Sequence, residues 1–355
     1  MHLAGEKVGI LAGVPLAVKD LEDAKGLPTS YGAKLFANNI ATKDSVQVAR
    51  LKAHGAIVSM CPSASSLPGL VAVFIPSLLI VGKTNAPIFG TQAFSDNLLF
   101  GASRNPWDLS KTPGGSSGGS SAVIAARISP LVTAADGGGS IRIPASFVGA
   151  FGLKPTHGLI PCNELELFKT SPIAHCVHYG PLTRSVEDAA LFLDLTAGYH
   201  PSDPFSHPKP AHSFVDLVSR EKPRGRGKKP GSLRIGFSPD LGYVSGCQAD
   251  IMRKVIESLQ VLRRLGHEVT EPVTLDLPDL GISWALLMGA QTYMAVSGAL
   301  EGQEDQLEPG VVGPWAVLRE LSIDEIGDTM RLLHTLNEGL ATFFGEYDIL
   351  VTPAM

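Results

Sequence analysis

Between Thr112 and Gly158 the chain reads TPGGSSGGSSAVIAARISPLVTAADGGGSIRIPASFVGAFGLKPTHG, a density of glycine and serine that core packing does not explain. Gly114 to Gly119 predict a tight loop opening a small-residue helix, Ser120 to Arg127. Leu131 to Ala135 predict a short buried strand ending at Asp136-Gly137-Gly138-Gly139-Ser140. Consecutive glycines let a backbone turn sharply and present several N–H groups to one point, an arrangement suited to holding an oxyanion. A phosphate cradle would call for G-x-x-x-x-G-K-[ST] or G-x-G-x-x-G, and neither occurs. The glycines alternate with apolar strand and helix residues, which excludes a flexible linker. The segment reads best as the seat of a serine nucleophile.

A serine hydroxyl needs a base. None of the ten histidines stands in a recognisable triad context and there is no G-x-S-x-G elbow, which turns attention to Ser-Lys chemistry. The segment GVPLAVKD puts Lys19 at the end of an apolar strand, Val14 to Val18, where a lone ammonium is costly to bury. Burial lowers a lysine toward neutrality and makes it competent as a base. Asp20 is the complication, because an ion pair with it would raise Lys19 instead. Sequence order alone does not bring Lys19 to the serines.

The rest of the sequence sets the class. With 44% hydrophobic and 18% charged residues in 355, the chain can bury a large core, and a net charge of -5 gives no general attraction to nucleic acid or anionic lipid. Four scattered cysteines, Cys61, Cys162, Cys176 and Cys247, form no C-x-x-C pair and point to a reducing, cytoplasmic setting without a metal site. The apolar N-terminal stretch is interrupted by Pro15 and does not read as a signal peptide, and the run Leu67 to Val81 is too short and proline-broken to span a membrane. SVQVARLKAH (Ser45 to His54) predicts a helix closed by Gly55. Ser185 and Asp188 cap a helix ending at Gly198, and LRIGF (Leu233 to Phe237) predicts a strand. IMRKVIESLQVLRRL then places Ile251, Val255, Leu259 and Leu262 on one helix face, followed by a strand from His267 to Val273. Strands alternating with helices predict an α/β/α fold on a mixed, mostly parallel sheet covered on both faces. The proline-rich, basic stretch from His200 to Ser232 is read as a surface connection within one domain.

In order, GVPLAVKD, GKTNAPIFG, SRNPWD, PGGSSGGSS, ADGGGSIRIPAS, GLKPTHG and GPLTRSVEDAALFLD resemble the amidase signature family, serine hydrolases that cleave carboxamides. The resemblance is specific from Lys19 to about Gly198. It implies a catalytic triad of Lys19, Ser116 (in a cis peptide bond) and Ser140, the two serines 140 − 116 = 24 positions apart. The implied relay runs from Ser140 through Ser116 to neutral Lys19, with an acyl-enzyme on Ser140. Backbone N–H groups among Gly137, Gly138, Gly139 and Ser140 would hold the oxyanion, Asp136 and Arg142 would brace the loop, and Ser117 would support Ser116. No cofactor or metal is implied. Expected partners are a small-molecule amide, with a homodimer left open, and neither nucleic acid nor membrane. The triple glycine resembles the branch containing 6-aminohexanoate cyclic dimer hydrolases.

Three departures from the family stand out. The chain begins 18 residues before Lys19 and stops at Tyr347 to Met355, so the domain, 1–355, is expected to be incomplete at both ends. AHGAI and VGKTN are separated by Val58 to Ile80, an atypical insertion of 80 − 58 + 1 = 23 residues that reads as a retained intron or gene-model artefact. The alternatives to a stand-alone amidase are an inactive remnant and a glutaminase subunit of the amidotransferase A type.

Overall fold

The computed structural model describes residues 9–57, 70–71, 82–162, 177–219, 231–303 and 306–354. Backbone contacts gather into two compact units rather than the one domain expected: Met1–Arg220 with Met288–Leu318, and Glu221–Leu287 with Arg319–Met355. Each unit has its own sheet and its own core.

The first unit opens with β1 (Leu16–Lys19) and α1 (Val46–Ala53), then β2 (Leu70–Val71), β3 (Lys83–Thr84), α2 (Gly118–Ala125) and β4 (Leu131–Asp136). After these come α3 (Arg142–Val148), β5 (Phe151–Gly152), β6 (His178–Thr183), α4 (Val186–Thr196) and α5 (Phe214–Ser219). Six strands pair in the order β2-β3-β1-β4-β6-β5. The sheet is mixed, with parallel pairing confined to β3, β1 and β4 and antiparallel pairing outside them.

Period-two alternation decides what each face of this sheet carries. Leu16 and Val18 of β1, with Leu131 and Ala135 of β4, pack with Val48 and Leu51 of α1 and Phe192 and Leu193 of α4. Ala17, Val132 and Ala134 face the other way, into a cluster with Val123 and Ile124 of α2 and Ile141 and Ala145. Both faces are covered by helices, as expected, and the sheet's buried strands carry few charges. By the same alternation Lys19 falls on the face of Ala17 and Asp20 on the opposite one.

The caps fall where short-range chemistry puts them. Ser45 accepts from the Val48 N–H at the start of α1, and Ser185 accepts from the Asp188 N–H at the start of α4. α2 begins two residues earlier than expected because Gly118 and Gly119 enter the helix. A Cβ on Gly119 would lie 2.3 Å from the Asn85 backbone nitrogen, so glycine is what lets α2 press against the end of β3.

The outer edge of β1 is served by two stretches of chain. Ile57 takes the Leu16 N–H at 3.0 Å, and Gly82 takes the Val18 N–H at 3.0 Å. In a parallel ladder those two acceptors are residues i and i+2 of one strand, with a single residue between them. Most of the insertion expected at 58–80 lies outside the described residues. Its described pair, Leu70–Val71, forms β2, antiparallel to β3.

The second unit holds β7 (Arg234–Phe237), α6 (Ala249–Leu265) and β8 (Glu268–Thr270), and α7 (Gly281–Val296) begins in it. After α8 (Pro309–Arg319) it resumes with α9 (Ile323–Glu346) and β9 (Ile349–Val351). Its strands run parallel in the order β8-β7-β9. β8 is shorter than expected, because Pro272 has no N–H to extend a ladder. Of the apolar face expected on α6 only Leu259 is buried, while Ile251 in the first turn is exposed. In the first unit, Val296, Leu300, Val311 and Trp315 pack with Leu21, Tyr31, Ile88 and Phe89 in a further cluster.

Candidate active site

β1 and β4 keep their backbone ladder only as far as Ala17 and Val132. Beyond that point side chains replace the ladder. The Lys19 N–H donates to the Thr133 hydroxyl at 3.1 Å, and Ser120 Oγ donates to the Thr133 carbonyl at 2.9 Å. The Ala135 carbonyl accepts from Lys19 Nζ at 3.3 Å and from Ser117 Oγ at 3.4 Å. Parting strands thus open a polar slot inside the sheet, and Lys19 fills it at 1% exposure.

Ser116 completes the slot. Lys19 Nζ and Ser116 Oγ are 2.7 Å apart, and both residues are buried. The Gly115–Ser116 peptide bond is cis. Ser95, which no sequence motif singles out, holds this turn from behind: its hydroxyl donates to the Ser116 carbonyl at 3.0 Å and accepts from the Gly118 N–H at 2.9 Å. Ser117 reaches the Ala135 carbonyl instead of the Ser116 side chain.

Among the described residues no carboxylate forms an ion pair with Lys19. Burial lowers it from 10.5 to about 7, against the attraction of Asp136 and Glu22. Asp20 does not interfere, because alternation turns it to the other face of the sheet. There it meets Lys83 at 3.2 Å and accepts from the Ser30 hydroxyl and, at 3.2 Å, the Ser30 N–H. Lys83 also donates to the carbonyl of Glu22 at 2.7 Å and the hydroxyl of Thr29 at 2.9 Å.

The triple-glycine turn at the end of β4 is ordered by Asp136. Its carboxylate takes Arg142 Nε at 2.9 Å and Nη2 at 2.8 Å, together with the Gly139 N–H at 2.7 Å and the Ile141 N–H at 3.1 Å. Burial works against the charge on Asp136, but the guanidinium and the two N–H groups outweigh it and hold the carboxyl below its ordinary range. Ser140 stands between the two residues whose N–H groups are pinned, partly exposed at the head of α3. Gly139, at φ 114, adopts a backbone that side chains disfavour. Its N–H is given to Asp136 and is therefore not a free oxyanion donor, which narrows the four N–H groups that the family resemblance implied. Among the described residues nothing accepts from the N–H of Gly138 or Ser140.

Residues 1–61 and 76–314 match the Amidase family. The chain belongs to that family. The gap between the two matched segments, 62–75, lies inside the stretch that departs from the family pattern in the sequence. The acylamidase of Rhodococcus erythropolis is 32% identical over 355 residues, 99% of this chain and 67% of that enzyme. Among solved structures, a bacterial aryl acylamidase of the amidase signature family superposes with a TM-score of 0.83 at 25% identity, covering 98% of this chain and 67% of that one. The 6-aminohexanoate cyclic dimer hydrolase complexed with substrate superposes at 0.80 and 25% identity, covering 96% and 66%. The A-type subunit of the glutamyl-tRNA(Gln) amidotransferase of Trichodesmium erythraeum is 34% identical over 75% of this chain, which spans about half of that relative's length, 48%. No group of three or more His, Cys, Asp or Glu able to hold a metal occurs among the described residues. Among them, too, no helix is long and apolar enough to cross a membrane.

Proposed function

We propose that this chain hydrolyses the carboxamide bond of small acyl amides through an acyl-enzyme on Ser140. The observation that carries the reading is the buried 2.7 Å contact between Ser116 Oγ and a Lys19 amine that burial brings to about 7. With the amine neutral, the Ser116 hydroxyl donates its proton to Nζ as it takes the proton of Ser140, whose oxygen attacks the amide carbon. The oxyanion that forms faces the turn after β4, where the N–H groups of Gly138 and Ser140 supply donors and Gly137 lines the approach. Each such donor is worth roughly 2.7–4 kcal/mol in a serine hydrolase. Collapse of the tetrahedral adduct returns the proton through Ser116 to the departing amine or ammonia, and water, deprotonated by the same relay, releases the acid.

The relative aligned along 99% of the chain is an acylamidase, whereas the match to the amidotransferase covers 75%, which favours a stand-alone enzyme over a glutaminase subunit. The branch containing 6-aminohexanoate cyclic dimer hydrolase supports a compact amide, linear or cyclic. A fluorophosphonate probe tests the assignment directly. Peptide mapping of the labelled protein should find one adduct, on Ser140, and Ser140→Ala should remove it without unfolding the chain. An adduct on another serine, or labelling that survives Ser140→Ala, overturns the reading.

A further inference from the structure

Glu22 is 2% exposed, yet none of the steps above uses it. Its carboxylate accepts from Ser45 Oγ at 2.6 Å and from Gln47 Nε2 at 3.0 and 3.1 Å, and the Thr133 hydroxyl acts on it from the next strand. The Glu22 N–H donates to the Lys19 carbonyl at 2.9 Å, and that same Thr133 hydroxyl accepts the Lys19 N–H at 3.1 Å, so Glu22 is tied to the backbone of the buried lysine. Hydrogen bonding alone does not require a carboxylate here. Among the described residues Gln47 Oε1 is buried without a partner, and once the Gln47 amide turned over it could accept from an amide at position 22. What a carboxylate adds is charge, and a buried charge is costly to keep.

We propose that Glu22 is a positioning residue for Lys19, fixing the end of β1 through Thr133 and lending the negative charge that sets the pH at which the lysine becomes a base. The inference rests on the Ser-Ser-Lys reading. The charged groups around the pair are few. Asp136, at the end of β4, attracts the Lys19 ammonium but is itself bound by Arg142. Asp20 is bound by Lys83, whose charge also acts on Glu22. Burial pushes the Glu22 carboxyl up, and the bonds from Ser45, Thr133 and Gln47 together with Lys83 oppose it. A negative charge there opposes in turn the burial that lowers Lys19.

The rate of fluorophosphonate labelling as a function of pH tests this on the full chain and needs no known substrate. In Glu22→Gln, isosteric and with an acceptor waiting in Gln47, the rising limb should move to lower pH by about one unit, the low end of what one opposite charge does to a neighbour. Glu22→Asp keeps the charge and should stay near the wild-type midpoint. An unmoved midpoint in Glu22→Gln, or an equal shift in Glu22→Asp, overturns the proposal. Lys19→Met separates the two ideas: a limb that persists without the lysine sinks the Ser-Ser-Lys reading itself, whereas a limb abolished there but unmoved in Glu22→Gln sinks only the role of Glu22.

Discussion

Two lysines lie 1% exposed on neighbouring strands of one sheet, and they have opposite surroundings. Val18 is the register partner of Lys83, and Lys19 that of Thr84, so the two side chains leave the sheet one position apart. Lys83 meets the Asp20 carboxylate and three further oxygens, of Glu22, Pro28 and Thr29. Lys19 meets one hydroxyl and one carbonyl, with the nearest anions acting only from a distance. Burial is equal in the two places. The difference lies in the partner: a carboxylate in contact makes a buried ammonium a structural cross-link, and its absence leaves an amine whose charge burial disfavours.

The largest effect should come from removing the unpaired lysine. Lys19→Met should lower labelling of Ser140 about a thousandfold, in the range where loss of a base costs 10²–10⁴. It should also stabilise the fold. Because the folded-state value is about 7 and the ordinary one 10.5, the unfolded chain binds a proton between those pH values that the folded chain does not, so this group's contribution to stability rises with pH across that window. Below pH 7 its penalty is fully present. Denaturant unfolding at pH 7 should show Lys19→Met more stable by up to about 4 kcal/mol, at 1.36 kcal/mol per unit, with the gain shrinking toward pH 10. A destabilised variant at pH 7 would mean that the slot welcomes the charge.

Lys83→Met should do the reverse. It strands Asp20 in a dry site, and breaking a buried pair costs about 3–5 kcal/mol. The same unfolding measurement checks this, and a loss below about 1 kcal/mol would remove the contrast between the two lysines.

The smallest effect is expected from taking out residues 58–80, which separate the two lysines in the chain. Ile57 and Gly82 serve β1 as i and i+2 of one ladder, and the deletion leaves Val81 as the one residue between them. The shortened chain should be more soluble and label at least as fast. Its unfolding midpoint should match or exceed that of the full chain; a collapse of the fold would make the segment structural.

Much of this was legible along the chain, because some signals are short-range. The serine cap of α4 and the glycine that follows α1 are local chemistry, and each stands where the sequence put it. Lys19 and Ser116 meet across 97 positions, a contact that only the resemblance to a family suggested. Lys83 lay in plain view in GKTN but had no visible role, because its carboxylate stands 63 positions away on another strand. Thr133 and Glu22 were hidden more deeply, since a threonine in an apolar strand reads as β-propensity and a lone glutamate as a solvated face. The resemblance to a family placed Gly139 among the oxyanion donors. Only the geometry shows that Asp136 already holds that N–H.

The placing of Lys19 and Asp20 on opposite faces of β1 has a genetic consequence. Loss or gain of one codon between Pro15 and Lys19 would turn each side chain to the other face. With one residue lost, the Asp20 carboxylate would take the place facing Ser116; with one gained, Lys19 would take the place of Asp20 beside Lys83. Such a lesion changes no chemical group in either site, yet either form of it would break both the Lys19–Ser116 contact and the Lys83–Asp20 cross-link. Tolerance to substitution and tolerance to length should therefore diverge sharply here: Leu16 can exchange for another aliphatic, but the count of residues up to Lys19 is fixed.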